Sequence, residues 1–273
     1  MTLYIFDMDG TLTPPRLPMT EAFAKAFSRW QQSHKNYIAT GSDYHKVTEQ
    51  LPQNVIDSFS GIYSSMGNVL THKKKTIYQK EFKVAPKLYE MLEDYRLKTA
   101  YPYKLYPNYI EKRMGMINFS VLGRNCPYEE RLKYAEWDKK EQEREKIASE
   151  LRRHFIEYDI SVGGSISMDI TPKGCGKGQI AHHLRSLYPN EKIVFFGDKT
   201  FVGGNDYELL NCETGLSVDG VSISYNSCWN YALHGMRNLE ATNYYLDLIT
   251  IIDRGLFVIK APISKVKDAD FLY

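Results

Sequence analysis

The stretch Leu3-Tyr4-Ile5-Phe6-Asp7-Met8-Asp9-Gly10-Thr11-Leu12-Thr13, LYIFDMDGTLT, decides how the rest of the chain is read. Leu3 to Phe6 run without a polar break, the pattern of a strand covered on both faces. The run stops on one carboxylate, Asp7, and a second, Asp9, follows after a single residue. Two acids this close repel each other, and each loses hydration when half buried. A cation, a proton or a turn that aims one acid away must offset that cost. Gly10 permits a sharp exit from the strand.

The same rhythm recurs outward from this point. Thr20 is placed to cap a helix in which Phe23, Phe27 and Trp30 repeat at helical spacing. NYIATGSD (36–43) reads as a second short strand ending in a polar turn, and YHKVTEQL (44–51) as a helix. Much later, KGQIAHHLRSLY (177–188) is helical and EKIVFFGDK (191–199) is another buried strand ending on an acid, Asp198. Alternating strands and helices argue for an α/β fold with a doubly wound parallel sheet. Ligands of such sheets sit beyond the carboxyl ends of the strands. Asp7, Thr40 and Asp198 all fall at such ends.

The middle of the chain differs. MINFSVLGR (116–124) has strand character, and residues 128–155 read as one long helix whose Glu and Lys form a solvated face. In SISMDIT (165–171), Ile166, Met168 and Ile170 share one face, while Ser165, Ser167, Asp169 and Thr171 share the other. Such a polar face is as compatible with solvent as with a site. Lys73 to Lys75 mark an exposed hairpin turn. The predicted organisation is a discontinuous core, 1–78 and 173–225, interrupted by an α+β cap domain, 79–172. Residues 226–273 form a C-terminal extension packed on the core. It contains a helix in RNLEATNYYLDLITIIDRG (237–255), ended by Gly255, then a strand in LFVIKAP (256–262).

Composition bounds the function. The chain has 273 residues, 43% hydrophobic and 25% charged, as in ordinary soluble globular proteins. Its formal net charge is +2, so no global field favours nucleic acid or membrane, and neither partner is expected. There is no secretory signal pattern and no apolar stretch of spanning length. Cys126, Cys175, Cys212 and Cys228 have no paired spacing and are read as reduced thiols. The expected location is cytoplasmic.

Phosphoryl chemistry asks for a nucleophile, a proton donor or acceptor, and positive charge around the phosphoryl oxygens. Asp7 can attack phosphorus and also bind a metal. Asp9 can offer its backbone carbonyl to that metal while its side chain handles a proton. Hard oxygen ligands of this kind suit Mg²⁺. Thr40 and Ser42 supply hydroxyl donors, and Lys177 a neutralising cation. Asp198 and Asp206 supply further carboxylates, of which Asp198 is the better placed ligand because it ends its strand. The GGND run, 203–206, has no Walker pattern around it and reads as the segment that positions Asp206. His182 and His183 are adjacent, so on a helix they point apart and form no metal pair.

FDMDGTLT resembles the first signature of the haloacid dehalogenase superfamily of phosphotransferases. EKRMGMINFSVLGRNC (111–126), EERL (129–132), VGGSISMDITPKG (162–174) and FFGDKTFVGGNDYE (195–208) resemble the eukaryotic-type phosphomannomutases. The resemblance spans about residues 3–220. It implies a haloacid dehalogenase-like core with a cap whose Arg113, Arg124 and Arg131 hold the distal phosphate of a hexose phosphate. It also implies Ser167 and Asp169 as sugar- and phosphate-binding residues, and Arg16 as a core arginine that reaches the ligand. The activity implied is interconversion of mannose 6-phosphate and mannose 1-phosphate through an aspartyl-phosphate, with Mg²⁺ and a hexose 1,6-bisphosphate activator, in a homodimer joined by its caps.

Departures keep an alternative open, a Mg-dependent sugar-phosphate phosphatase. Thr40 replaces a usual glycine, Lys112 and Met114 flank the first cap arginine, and Cys175 and Gly176 replace a tryptophan and an aspartate. Cys212 stands where the family often has an acid for a second cation. A catalytically silent sugar-phosphate binder would not need intact Asp7, Asp9, Lys177 and Asp198. Strict alternation along one strand puts Arg113 with Ile117 and Phe119, but Arg124 with Asn118 and Ser120. Both reach one ligand only if the strand bulges or ends, at Gly115 or Gly123.

Overall fold

The computed structural model describes residues 1–212, 214–218, 232 and 235–253. Its first part runs β1 (Thr2–Phe6), α1 (Glu21–Gln31), β2 (Lys35–Ala39), α2 (Tyr44–Gln50), α3 (Gln53–Ser58), β3 (Gly61–Ser64), β4 (Val69–His72) and β5 (Lys75–Gln79). A middle part follows: α4 (Pro86–Leu97), β6 (Ile110–Arg113), β7 (Met116–Phe119), α5 (Tyr128–Glu141), α6 (Glu143–His154), β8 (Tyr158–Gly163) and β9 (Ser167–Pro172). The chain then returns through α7 (Gly178–Leu187), β10 (Lys192–Gly197), α8 (Tyr207–Cys212), β11 (Thr214–Ser217) and α9 (Leu239–Asp253).

The larger sheet has the order β11-β10-β1-β2-β3-β4-β5. β1 is central and parallel to both neighbours, with Phe6 opposite Phe196 and Ile38. Its unbroken apolar run has a direct cause. Leu3 and Ile5 enter the core on one face of the sheet, Tyr4 and Phe6 the core on the other. Phe6 stacks on Phe196 at 4.6 Å between ring centroids and meets Phe27 edge-on at 5.2 Å. Thr20 caps α1 by accepting a hydrogen bond from the amide of Phe23, and Asp43 caps α2. The parallel order gives way at one edge to an antiparallel hairpin of β4 and β5. Lys73 and Lys74 form its turn, both at positive φ.

The smaller sheet, β6-β7-β9-β8, is antiparallel throughout. Ile117, Phe119, Ile160, Met168 and Ile170 share one apolar cluster with Leu88 and Leu92 of α4, Tyr134 of α5, and Ile147 and Leu151 of α6. The charged segment 128–155 is not one helix. Gln142 adopts the left-handed conformation (φ 53°) and separates α5 from α6. Nor is it solvated all round. Asp138 and Arg144 are buried on either side of the break, with Arg144 Nε donating to Asp138 Oδ2 at 2.7 Å. The Asp138 carboxylate also accepts from the Arg144 amide at 2.9 Å, closing the start of α6.

α9 packs on the larger sheet. Its Tyr245 ring lies 5.8 Å from Phe196, and Thr242 Oγ1 donates to the carbonyl of Thr11 at 2.7 Å. Among the described residues no helix is long and apolar enough to cross a membrane. Cys126 and Cys175 are free thiols. Gly255, the LFVIKAP strand, Cys228 and the side chain of Cys212 lie outside the described residues.

Candidate active site

The carboxyl ends of β1 and β10 bring Asp7, Asp198 and Asp206 together, each offering an oxygen within 4.8 Å of the others. Lys177, in the turn before α7, is fully buried and donates to Asp7 Oδ1 and Asp206 Oδ1, both at 2.6 Å. Burial alone would lower its pKa, but the two carboxylates outweigh burial and hold it above its ordinary value. Asp7 is driven well above the usual carboxylate range, first by burial and then by Asp206 and Asp198, with Lys177 opposing. Gly10 lies beside this cluster at φ +91°, and a Cβ there would come within 2.5 Å of Asp198 Oδ2. The turn therefore needs glycine for conformation and for space.

The second acid of the opening motif does turn away. Asp9 Oδ1 accepts from the amide of Arg16 at 2.8 Å and from Gln50 Nε2 at 3.1 Å. Its Oδ2 accepts from Ser42 Oγ at 3.3 Å. Asp206 occupies the cluster with both oxygens engaged. Oδ1 takes Lys177, and Oδ2 takes the amides of Asp198 and Lys199 at 3.1 and 3.0 Å. It anchors the lysine and the end of β10. Asp7 and Asp198 are the better candidates for a cation. The donor set fits Mg²⁺: hard carboxylate oxygens on rigid strand ends, with one acid whose charge is disfavoured until positive charge arrives.

Facing these acids across an open cleft is the polar side of the smaller sheet. Asp7, Asp9, Arg16, Thr40, Ser42, Arg113, Arg124, Arg131, Ser167, Asp169 and Asp198 all line it, whereas Lys177 and Asp206 stand behind the acidic floor. The polar face of SISMDIT is thus not solvent-facing. Ser167 and Asp169 are buried, and Arg124 Nη1 donates to Ser167 Oγ at 3.2 Å. The parity problem of the arginines resolves at the turn between β6 and β7. Met114 and Gly115 (φ +73°) turn the chain between β6 and β7, so Arg113 pairs with Met116 and lies on the face of Asn118. Arg124, which alternation already places on that face, lines the cleft just beyond Gly123 (φ +92°). Arg131 is buried on α5, and burial holds its pKa below the ordinary value, with Arg16 adding to the effect.

Several residues in and around the cleft escaped sequence reasoning. Asp169 Oδ1 accepts from Asn118 Nδ2 at 2.8 Å, and its Oδ2 from Asn205 Nδ2 at 3.3 Å. Asn118 Oδ1 and Asn205 Oδ1 are buried without a partner. Glu111 meets both Arg113 and Arg124. Gln50 looked like an ordinary helix residue. The available signal was the register: Glu111 pairs with Asn118, and Asn118 with Asp169, across three adjacent strands. His182 is exposed while His183 meets the Tyr63 hydroxyl at 2.8 Å, so the two diverge.

A parallel sheet whose strand ends gather an Asp-x-Asp turn, a hydroxyl, a buried lysine and a further acid defines the haloacid dehalogenase-like class. Solved structures agree on the fold. A haloacid dehalogenase-like hydrolase from Bacteroides thetaiotaomicron superposes with a TM-score of 0.57 at 14% identity, covering 91% of this chain and 99% of that one. A trehalose-6-phosphate phosphatase related protein superposes with a TM-score of 0.53 at 15% identity, covering 93% and 99%. Within the class, the chain belongs to the eukaryotic phosphomannomutase family, whose model matches residues 23–225. It is 35% identical over 236 residues to the phosphomannomutase of Encephalitozoon cuniculi, covering 81% of this chain and 88% of that protein. It is 37% identical over 217 residues to that of Saccharomyces cerevisiae, covering 77% and 85%.

Proposed function

We propose that this chain is a phosphomannomutase, interconverting mannose 6-phosphate and mannose 1-phosphate through a phosphoryl group carried on Asp7. One observation carries the reading: a single cleft faces the Asp7 carboxylate with Arg113, Arg124 and Arg131, so a hexose bearing a phosphate at each end can span it.

A hexose 1,6-bisphosphate primes the chain. A carboxylate oxygen of Asp7 forms the bond to phosphorus as the bond from phosphorus to the sugar oxygen breaks. Asp9 gives a proton to the departing oxygen, and takes one from the hydroxyl that attacks in the reverse sense. The hydrogen bonds from the Arg16 amide, Gln50 and Ser42 hold Asp9 in place for that exchange. Lys177 balances the charge on Asp7, while Thr40 donates to a phosphoryl oxygen; Ser42 donates there only by giving up its bond to Asp9. Asp7 and Asp198, with the Asp9 carbonyl, would hold a Mg²⁺, with Asp206 behind them. When bound, the ion supplies positive charge to the phosphoryl group in transfer.

The arginines suit the far phosphate because their planar forks bind oxyanions in pairs of hydrogen bonds. Arg16 closes on the ligand from the opposite wall. Ser167 and Asp169 bind the sugar. The unpartnered oxygens of Asn118 and Asn205 are further acceptors for its hydroxyls. Because the bisphosphate must turn end for end, the same arginines receive either phosphate. In this proposal residues 79–172 act as the cap, pair two chains into a homodimer, and the enzyme works in the cytosol on a small hexose phosphate.

The test is product identity. With mannose 1-phosphate, Mg²⁺ and catalytic hexose 1,6-bisphosphate, mannose 6-phosphate accumulates, and Asp7→Asn abolishes it. Free phosphate without mannose 6-phosphate would overturn the mutase in favour of a sugar-phosphate phosphatase.

A further inference from the structure

We propose that Glu111 is a positioning residue: it locks Arg113 and Arg124 into one preformed fork for the far phosphate. The inference rests on the arginine clamp proposed above and adds to it a residue that does not touch the ligand.

The geometry is specific. Arg113 Nε and Nη2 donate to Glu111 Oε1 and Oε2, both at 3.2 Å. Arg124 Nε donates to Glu111 Oε2 at 2.9 Å. The side chains of the two arginines are 3% and 6% exposed. Two buried guanidinium ions this close repel strongly in a medium less polar than water. One carboxylate shared between them removes that repulsion before any phosphate arrives. It also takes the Nε–H of each arginine. What remains for a ligand is drawn from the terminal Nη groups, some of them already held. Arg113 Nη1 donates to the carbonyl of Gly41, and Arg124 Nη1 to Ser167 Oγ. Each guanidinium plane is therefore fixed at two edges.

Glu111 does not itself line the cleft, although both arginines do. Its carboxylate is taken up by the Nε–H groups of both arginines, so an arriving phosphate meets their terminal Nη groups. Its place comes from register. Glu111 lies opposite Asn118 on β7, two residues before Arg113 on β6, and so on the arginine's own face. This arrangement argues for support of the clamp and against competition with the ligand.

The test uses the full chain. Glu111→Gln keeps the length and removes the charge. It should raise KM for mannose 1-phosphate about tenfold, equivalent to about 1.4 kcal/mol, while kcat changes less than about threefold. Glu111→Asp, which keeps the charge on a shorter arm, should recover part of the loss. Calorimetry with mannose 1-phosphate on Asp7→Asn, with and without Glu111→Gln, should show Kd weakening in parallel. That comparison needs no turnover, so it decides the role of Glu111 even where the unmodified chain proves to be a phosphatase. A KM and Kd that are unchanged or tighter would overturn the proposal, as would a loss confined to kcat. Should Glu111→Gln fail to fold, Glu111→Asp carries the same comparison, and an unchanged KM there overturns it.

Discussion

Arg144→Met offers the most demanding test of how the cleft is built. Arg144 and Asp138 are both buried, and their ion pair is 2.7 Å long. The same guanidinium reaches the turn between β8 and β9 through Nη1, lying 3.4, 3.3 and 3.2 Å from the carbonyls of Gly163, Gly164 and Ser167. Removing one partner of a buried pair leaves an uncompensated charge, which costs about 3–5 kcal/mol. The three carbonyls add to this only in part, because Gly164 and Ser165 are half-buried and water can reach the turn. A loss of about 4 kcal/mol is a large share of the 5–15 kcal/mol that holds a typical domain together.

Urea unfolding followed by tryptophan fluorescence reads the effect. Trp137 sits with Tyr101 and Tyr134 beside the smaller sheet, and Trp30 with Phe6 and Phe27 in the larger one. Backgrounds with Trp229→Phe combined with either Trp30→Phe or Trp137→Phe leave one tryptophan each and therefore report on different cores. With a slope of about 2 kcal/mol per molar urea, the transition seen by Trp137 moves down by about 2 M, more than that seen by Trp30. Asp138→Asn combined with Arg144→Met restores about half of the loss, since the pair's charge is gone while an acceptor for the residue 144 amide remains. A double variant as unstable as the sum of its parts would refute the charge argument. So would a larger shift at Trp30.

Further expectations concern the cleft itself. Gly163→Ala would bring a Cβ within 2.2 Å of Asp169 Oδ2, so the carboxylate must move. KM for mannose 1-phosphate should rise about tenfold, or about 1.4 kcal/mol, with a far smaller change in melting temperature. Chelating divalent cations should stop turnover, and Asp198→Asn should raise the Mg²⁺ concentration needed for half-maximal rate about tenfold, which a titration measures. Thr242→Val removes the 2.7 Å hydrogen bond to the Thr11 carbonyl and should lower stability by about 1–2 kcal/mol in urea titrations. Lys177→Met leaves Asp7 and Asp206 without their shared cation, and should abolish isomerisation and lower the melting temperature in scanning calorimetry.

The larger sheet was legible because each clue was local. An unbroken apolar run means a strand buried on both sides, and β1 and β10 are such strands. The carboxylates at their ends follow at once, and the positions of Lys177 and the GGND segment follow from order along the chain. The smaller sheet was less legible because its logic is a matter of parity and pairing. A two-residue turn at Met114 and Gly115 reverses which face Arg113 occupies, and one strand read in isolation cannot show that. Gln142 ends a helix in a left-handed conformation usually left to glycine or asparagine, so nothing in the charged run announced the break. The polar face of β9 looked like surface because burial of Ser167 and Asp169 depends on the other sheet lying across from them. Glu111 was not legible as a partner of Arg124 because the two are thirteen residues apart and meet only once the chain folds back after β6.

One small element joins the two sheets directly. Val162 at the end of β8 donates its amide to the carbonyl of Gly203 at 2.8 Å and accepts from the amide of Asn205 at 3.2 Å. Asn205 and Asp206 are neighbours, and Asp206 holds the buried lysine. The roof of the cleft is thus stitched to the loop that braces its floor. A parting of the sheets at this point would break both hydrogen bonds. In the proposed reaction, the wall that receives the sugar and the loop that braces the acidic floor are thus held by a single mechanical link.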